Sequence, residues 1–531
     1  MRQFNTNAVC IPSKHYMVDL SSVTDAIKKL VDAEKYFSIN RARQYGKTTT
    51  LNALEKSLSE QYDVISIDFQ TMTSADFSDE NSFAKGLARI LCDSRDLMNI
   101  PVPDRYYELL HYLTAQKEAA TISDIFKVFN QWCRENPKPV VLIIDEVDTA
   151  TNNQVFLDFL GKLRANYVMH AKNPNFKIFQ SVILAGVTDI KHLKNKIRPD
   201  ADIKVSSPWN IAADFDIDMS LSENGIKVML DEYATEHGLM INTPAIARCI
   251  RGYTSGYPYF VSRICQVIDT KLIPGVFASL SEAWTQEGVD EAVKRILQED
   301  NTFFDSVMGK LVNMPNLKNQ LRCILLKGET ISYLPDDTEQ QILRMYGFIS
   351  NIHNTIAVSN RIFEMRLYNY FIGESGKNND LRQLAVANRN IFITDDGTLD
   401  VIKIMEHFIS EHNVIHRDNT EQFLEQEGRE RFLTYLSPII NGTGTYSIEE
   451  QTRDHKRMDV VIHYRGKRYI IEMKIWRGAK YNADGEKQIM EYLDYFGLST
   501  GYMLSFNFNK DKKCGVREVR IGNKLLYEGV V

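Results

Sequence analysis

Residues Val140-Val-Leu-Ile-Ile-Asp145-Glu146 form an unbroken apolar run that ends in two acids. A continuous apolar, β-branched stretch of this length marks a strand buried on both faces, and such strands belong to parallel sheets covered by helices. Tyr36–Asn40, Val64–Phe69 and Phe179–Ala185 have the same strand character. Amphipathic stretches such as Ser82–Cys92 and Ala150–His170 separate them. The alternation predicts an α/β fold, a parallel sheet with helices on both faces, over residues 1–220. A buried strand has no packing reason to end in Asp145-Glu146, unless the acids are used at the edge of the sheet. The plainer alternative is a helix N-cap with an acidic first turn.

The chain has 531 residues, room for about three or four domains. After the sheet region the pattern turns helical over 221–310, with Ile226–His237, Pro244–Ile250, Tyr259–Thr270 and Glu287–Glu299 as helices. Residues 311–372 read as helices Leu317–Leu326 and Thr338–Met345, then a hairpin of Gly347–Ser350 and Thr355–Ser359, the order of a winged-helix domain. A polar, Gly-containing stretch from Gly373 to Asp380 predicts a linker over 373–390. The last domain, 391–531, opens with helices Leu399–Glu411 and Glu421–Leu436 and then becomes strand-rich.

With net charge −6, a wholly basic nucleic-acid binder is excluded, but the charge is uneven. Residues 451–531 hold 16 Lys+Arg against 10 Asp+Glu, so this end is the place for a phosphate-backbone partner or else a scatter of solvated lysines. The seven cysteines form no C-x-x-C pair, against a zinc site or a disulfide framework and in keeping with a reducing compartment. No apolar signal core opens the chain and no stretch reaches membrane-spanning length. A soluble, cytoplasmic protein without a membrane partner is expected.

Arg41-Ala-Arg43-Gln44-Tyr45-Gly46-Lys47-Thr48 follows a strand and opens a helix at Thr49. Strand, loop, helix is the setting a phosphate-binding loop requires. Backbone N–H groups from Arg43 to Gly46, and those of Thr48 and Thr49 at the helix start, aim at phosphate oxygens. Lys47 brings a positive charge to the β/γ-phosphates, Thr48 offers a hydroxyl to Mg²⁺, and Gly46 permits close approach. The usual pattern has Gly where Arg41 stands. Asp145 then holds Mg²⁺ and Glu146 polarises the attacking water. ATP and Mg²⁺ are the expected cofactors. Thr188-Asp189, after the strand Val182–Val187, is placed to sense the terminal phosphate or merely to cap its strand; Asp68, ending another strand, reads as structural.

The loop, Leu142-Ile-Ile-Asp-Glu-Val-Asp148, and the stretches Phe4-Asn-Thr6 and His15-Tyr16 resemble a family of bacterial AAA-like ATPases related to AAA+ and STAND signalling ATPases. In that family Arg-Gln replaces the upstream glycines. Ser207–Ile211, Thr254–Pro258 and Arg263 look like its helical lid. The likeness spans about residues 1–370 and implies ATP binding; Arg164 and Arg198 are candidates for a trans-acting arginine, with surface ion pairs as the plainer role.

Arg457–Tyr464 and Lys467–Lys474 alternate as two strands around an Arg465-Gly466 turn. A two-residue loop sets Tyr464 opposite Lys467 and hence Asp459 opposite Glu472, with Lys474 on the same face. Opposed carboxylates repel, which a bound Mg²⁺ would remove; a solvated face of mixed charge is the alternative. The Asp459…Glu472-x-Lys474 pattern between helices resembles the PD-(D/E)XK nuclease superfamily over about 400–531. That resemblance implies that Asp459 and Glu472 bind metal, that Lys474 assists hydrolysis, and that Glu430 and Gln488 have secondary roles. The expectation is an ATP-regulated, Mg²⁺-dependent nuclease acting on nucleic acid, DNA foremost, in DNA processing or host defence. An ATP-dependent switch or assembling signalling ATPase with a non-cleaving nucleic-acid-binding end is the alternative, and an ATP-dependent homo-oligomer is a further expectation.

Overall fold

The computed structural model describes residues 2–531 apart from 117, 189, 191–207, 300–301, 328–330, 336, 376–379, 416–424, 441–443, 452–456, 466, 476–478 and 508–511. Asp189, Arg198 and Ser207 lie outside the described residues, as does the side chain of Asp459. The chain falls into two compact units, residues 1–286 with 335–348, and residues 287–334 with 349–531.

In the first unit, short strands β1 (Gln3–Phe4) and β2 (His15–Tyr16) pair parallel, and α1 (Ser21–Asp32) follows. Then come β3 (Phe37–Asn40), α2 (Lys47–Leu58), β4 (Asp63–Asp68), α3 (Glu80–Met98), α4 (Asp104–Ala115), α5 (Ile122–Glu135), β5 (Val140–Asp145), α6 (Gln154–Lys172) and β6 (Ser181–Gly186). The four longer strands make a parallel sheet in the order β3-β6-β5-β4. Ala213 bridges in parallel to Phe37 on the open side of β3. The strands expected from the apolar runs are therefore present.

Each strand buries both faces, as its composition requires. Val141 and Ile143 pack with Ile27, Val31, Leu51 and Leu54 of α1 and α2. Leu142 and Ile144 pack with Phe83, Leu87, Phe126 and Phe156 of α3, α5 and α6 on the other side. α5 starts at a Thr121/Asp124 capping box that satisfies two otherwise orphaned N–H groups. The unit continues with α7 (Glu223–His237), α8 (Thr243–Thr254), α9 (Pro258–Lys271) and α10 (Leu280–Ala283).

The following α11 (Gln286–Gln298), α12 (Thr302–Val312) and α13 (Pro315–Lys327) precede α14 (Thr338–Met345). α14 belongs to the first unit and α13 to the second, so residues expected as one 311–372 domain are shared between the two. The hairpin β7 (Ile349–Ile352) and β8 (Thr355–Val358) lies in the second unit, followed by α15 (Arg361–Ser375) and α16 (Asp380–Ala387). Residues 380–387 were expected as linker. They form a helix because Leu381 and Ala385, one turn apart, are buried.

The rest of the second unit is α17 (Val401–Ile415), α18 (Glu425–Ile440), β9 (Gly444–Gln451), β10 (Arg457–Tyr464), β11 (Lys467–Ile475), α19 (Ala479–Phe496), β12 (Thr500–Phe506), β13 (Gly515–Ile521) and β14 (Lys524–Val530). Its sheet runs β13-β14-β12-β11-β10-β9, with β11, β12 and β14 parallel to one another. Val461, Ile470, Met503 and Leu526 on one face pack against Ile489, Tyr492 and Leu493 of α19. On the other face Met405 and Ile409 of α17 reach Gly529.

Candidate nucleotide site and C-terminal polar cluster

The loop between β3 and α2 turns on two left-handed residues. Gln44 has φ 56° and Gly46, capping α2, has φ 79°. Lys47, only 6% exposed, donates from Nζ to the carbonyls of Arg41 at 3.1 Å and Ala42 at 3.2 Å. Burial pushes the Lys47 ammonium down from its ordinary pKa, against the opposing pull of Glu146, Asp148 and Asp145. The ammonium is thus folded into its own loop, held by neutral main-chain oxygens. An anion bound in that loop would complete its coordination.

Arg41, standing where the usual pattern has Gly, points away from the phosphate loop. It donates to the Asn40 carbonyl at 2.9 Å and the Ile217 carbonyl at 2.7 Å, and lies over the Phe215 ring. Tyr45 meets Tyr257 edge-on at 4.8 Å, and the Tyr257 hydroxyl donates to the Arg43 carbonyl. The expected lid segment Thr254–Pro258 therefore touches the loop, with Pro258 3.8 Å from the site of a Cβ on Gly46. Thr49 Oγ1 accepts from Cys10 N at 3.2 Å, which fastens the N-terminal segment to the start of α2.

Across the sheet, Thr48 Oγ1 donates to Asp145 Oδ2 at 2.9 Å. Asp145 Oδ1 accepts from Glu146 N at 2.8 Å. Burial raises the Asp145 pKa, with Glu146 N and Thr48 acting the other way. Burial likewise raises Glu146, opposed by Lys47. Glu146 has φ 50°, and the turn Val147–Thr149 follows. A hydroxyl and a carboxylate at this spacing are the hard oxygen donors Mg²⁺ takes, and with the loop N–H groups and Lys47 they fit a bound nucleotide and its cation. Thr188 is buried at the exit of β6, between β3 and β5.

One further acid has a role that its spacing in the sequence does not reveal. Asp148 accepts from the N–H groups of Val187 and Thr188. The signal was the third acid in Asp145-Glu-Val-Asp148, but its partners lie 39 and 40 residues away along the chain.

In the second unit the hairpin register runs Tyr464↔Lys467 through Val460↔Ile471, as the two-residue turn predicts. Glu472 and Lys474 share the face of Ile470, which α19 covers. Glu472 is fully buried and its Oε1 lies 2.9 Å from Lys474 Nζ. Glu430 on α18 instead ion-pairs with Arg322 of α13 at 2.8 Å, and Gln488 donates to the Tyr492 hydroxyl at 2.7 Å. The register carries Glu472, Met503 and Glu528 along one row, and buried Glu528 accepts from Arg517 at 2.6 Å. Among the described residues no group of three or more His, Cys, Asp or Glu is arranged to hold a metal ion. Arg164 lies on α6, half-buried. All seven cysteines are free thiols, and no described helix is long and apolar enough to cross a membrane.

A parallel sheet with a phosphate loop leaving one strand and an acidic pair ending another, with a third strand between them, defines the P-loop ATPase fold. The family described as AAA-like domain matches residues 4–371, and the chain belongs to it. Among solved structures, the chain is similar to a Walker-type ATPase of Pyrococcus abyssi at 14% identity, covering 68% of this chain and 99% of that one with a TM-score of 0.46. It is also similar to Cdc6p of Pyrobaculum aerophilum at 14% identity, 67% and 93% coverage and TM-score 0.29. The RuvB Holliday junction branch migration motor of Thermotoga maritima follows at 12% identity, 65% and 94% coverage and TM-score 0.32. No curated protein matches the chain.

Proposed function

We propose that this protein binds and hydrolyses ATP in its first unit and thereby regulates a Mg²⁺-dependent phosphodiester-cleaving activity in its C-terminal unit, in the cytoplasm. The observation that carries the nucleotide half is Lys47, a buried ammonium whose hydrogen-bond acceptors are two carbonyls of its own loop. It binds the β/γ-phosphates, with the N–H groups of Arg43 to Gly46 and of Thr48 and Thr49 on the remaining oxygens. Thr48 and Asp145 hold Mg²⁺, which supplies charge neutralisation at the phosphates. Glu146, its pKa raised by burial, accepts the proton of the attacking water. Lys47→Ala should weaken ATP binding by roughly 100-fold, whereas Glu146→Gln should keep binding and lose turnover by about 100-fold or more. Fluorescent-nucleotide titration and phosphate release check the two; wild-type turnover in Glu146→Gln would remove the assigned base.

The cleaving half is supported by the hairpin register and by Glu472 and Lys474 on one sheet face, 2.9 Å apart. In this reading Asp459 and Glu472 bind the metal and Lys474 stabilises charge on a nucleic-acid phosphate, DNA foremost. α13, α14 and the β7–β8 hairpin have the chain order of a winged helix that assists the nucleic-acid partner. A second reading, an ATP switch or ATP-assembled homo-oligomer with a non-cleaving C-terminal unit, is favoured by the complete burial of Glu472 against Lys474 and by the Glu430–Arg322 pair. Labelled single- and double-stranded DNA and RNA, incubated with ATP and Mg²⁺ and either the parent or Glu472→Gln, separate the two. Cutting by the parent that the variant lacks supports the nuclease; intact substrates leave the switch.

A further inference from the structure

The turn after β5 carries an acid that the phosphate chemistry above does not use. Asp148 Oδ2 accepts from Val187 N at 2.6 Å, and Oδ1 from Thr188 N at 2.7 Å. Both oxygens are committed to the segment leaving β6, and hydrogen bonds to an ionised acceptor are short and roughly twice as strong as neutral ones. Gly186 makes the approach possible. A Cβ there would stand 2.9 Å from Val147 Cγ2 and 3.0 Å from Asp148 Oδ2, so a side chain would push the carboxylate off its two donors. The Gly186 carbonyl in turn accepts from Arg41 N at 3.2 Å, where the phosphate loop begins. One carboxylate thus ties the acidic turn to the exit of β6 and, through Gly186, to the loop that carries Lys47.

β6 runs between the strand that feeds the phosphate loop and the strand that ends in Asp145. The first hydroxyl beyond its end is that of Thr188, in a residue only 8% exposed. We propose that Asp148 is a positioning residue, clamping the main chain at Val187 and Thr188 so that the Thr188 hydroxyl meets the terminal phosphate or the attacking water. This assignment rests on the ATP-hydrolysis reading. Through these two bonds Asp148 acts on the main chain that carries Thr188. Its negative charge also supports the protonated form of Lys47. An asparagine keeps the size but offers one acceptor oxygen and turns an NH₂ group toward the second donor, so half of the clamp is lost.

The test is a double-mutant cycle on the full chain with Asp148→Asn, Thr188→Val and the pair combined, read as kcat and KM for ATP. Asp148→Asn should lower kcat about tenfold or more, with KM within about threefold of the parent. Thr188→Val should do likewise, and the double variant should be no worse than the more severe single one within about twofold. Additive losses, a loss confined to KM, or a parent-like kcat would overturn the assignment. Circular-dichroism melting shows whether each variant folds. Should Asp148→Asn not fold, Thr188→Val decides alone, and parent-like turnover there overturns the proposal. A parent that binds ATP without turning it over overturns the hydrolysis reading together with this one; a parent that turns over while the variants are additive overturns this one only.

Discussion

Lys47 and Glu472 are buried charges with different partners. Lys47 donates its hydrogen bonds to carbonyl dipoles, which are a poor substitute for an anion and a good preparation for one. Glu472 is already matched by Lys474. Removing one member of such a pair strands the other in a low-dielectric interior, while replacing both by apolar groups does not. Lys474→Met should therefore cost about 3 kcal/mol, and Glu472→Leu with Lys474→Met should recover most of it, as read by urea unfolding. If both variants are equally unstable, the pair is not what holds this face together. Glu146 gives the pH dependence. Burial raises its pKa, so on acidification the folded chain takes up this proton before the unfolded chain does. Stability from this group rises as pH falls through the raised value, while the base needed for turnover is lost. The acid limb of the kcat/KM profile for ATP should lie above the pH at which an ordinary glutamate titrates, and a limb at the ordinary value would contradict the assignment.

At the level of elements, glycines set how closely the segments around the phosphate loop approach. Gly46 caps α2 in the left-handed region, where it frees the loop to curl over Lys47. Gly347 follows α14 with φ 76°, and a Cβ there would lie 2.8 Å from the Cβ of Ala42. The end of α14 is therefore seated against the loop within the first unit. Gly347→Ala should destabilise that unit by about 1–2 kcal/mol from the backbone conformation alone, with a further cost from the contact. Ala42→Gly added to it should return the contact share and not the conformational share. Thermal unfolding of the single and double variants measures both. Element positions were largely legible in the sequence: α14 has its expected bounds, and β5 and β10–β11 stand where the apolar and alternating runs put them. α16 was not, because five of its eight residues are apolar (Leu381, Leu384, Ala385, Val386 and Ala387) and mark no single face, and only the burial of Leu381 and Ala385 shows which side packs.

On the scale of the molecule, the chain leaves its second compact unit to contribute residues 335–348 to the first and then returns. A ligand that binds only the folded first unit should stabilise that unit by mass action, by about 2.7 kcal/mol at 100 times its Kd. In calorimetry, Mg²⁺ with a non-hydrolysable ATP analogue should raise the unfolding transition of the first unit in the parent and leave it unmoved in Lys47→Ala. An equal shift in both would place the nucleotide somewhere other than the loop after β3.

The sequence alone determined the contiguous parts of the site. Strand, loop and helix from Tyr36 to Leu54, and the apolar run into Asp145-Glu146, are spelled by neighbours in the chain, because backbone geometry and burial period act over a few residues. What pairs across long separations was decided only by the tertiary structure. Thr48 meets Asp145 97 residues away, β6 slots between β3 and β5, and Asp148 finds the N–H groups of Val187 and Thr188. Glu430 shows the same dependence in the opposite sense: its helix was foreseen, but the packing of α18 against α13 gave its carboxylate to Arg322. Such choices follow from which helices cover which sheet face, a sum of many contacts that no local spacing encodes.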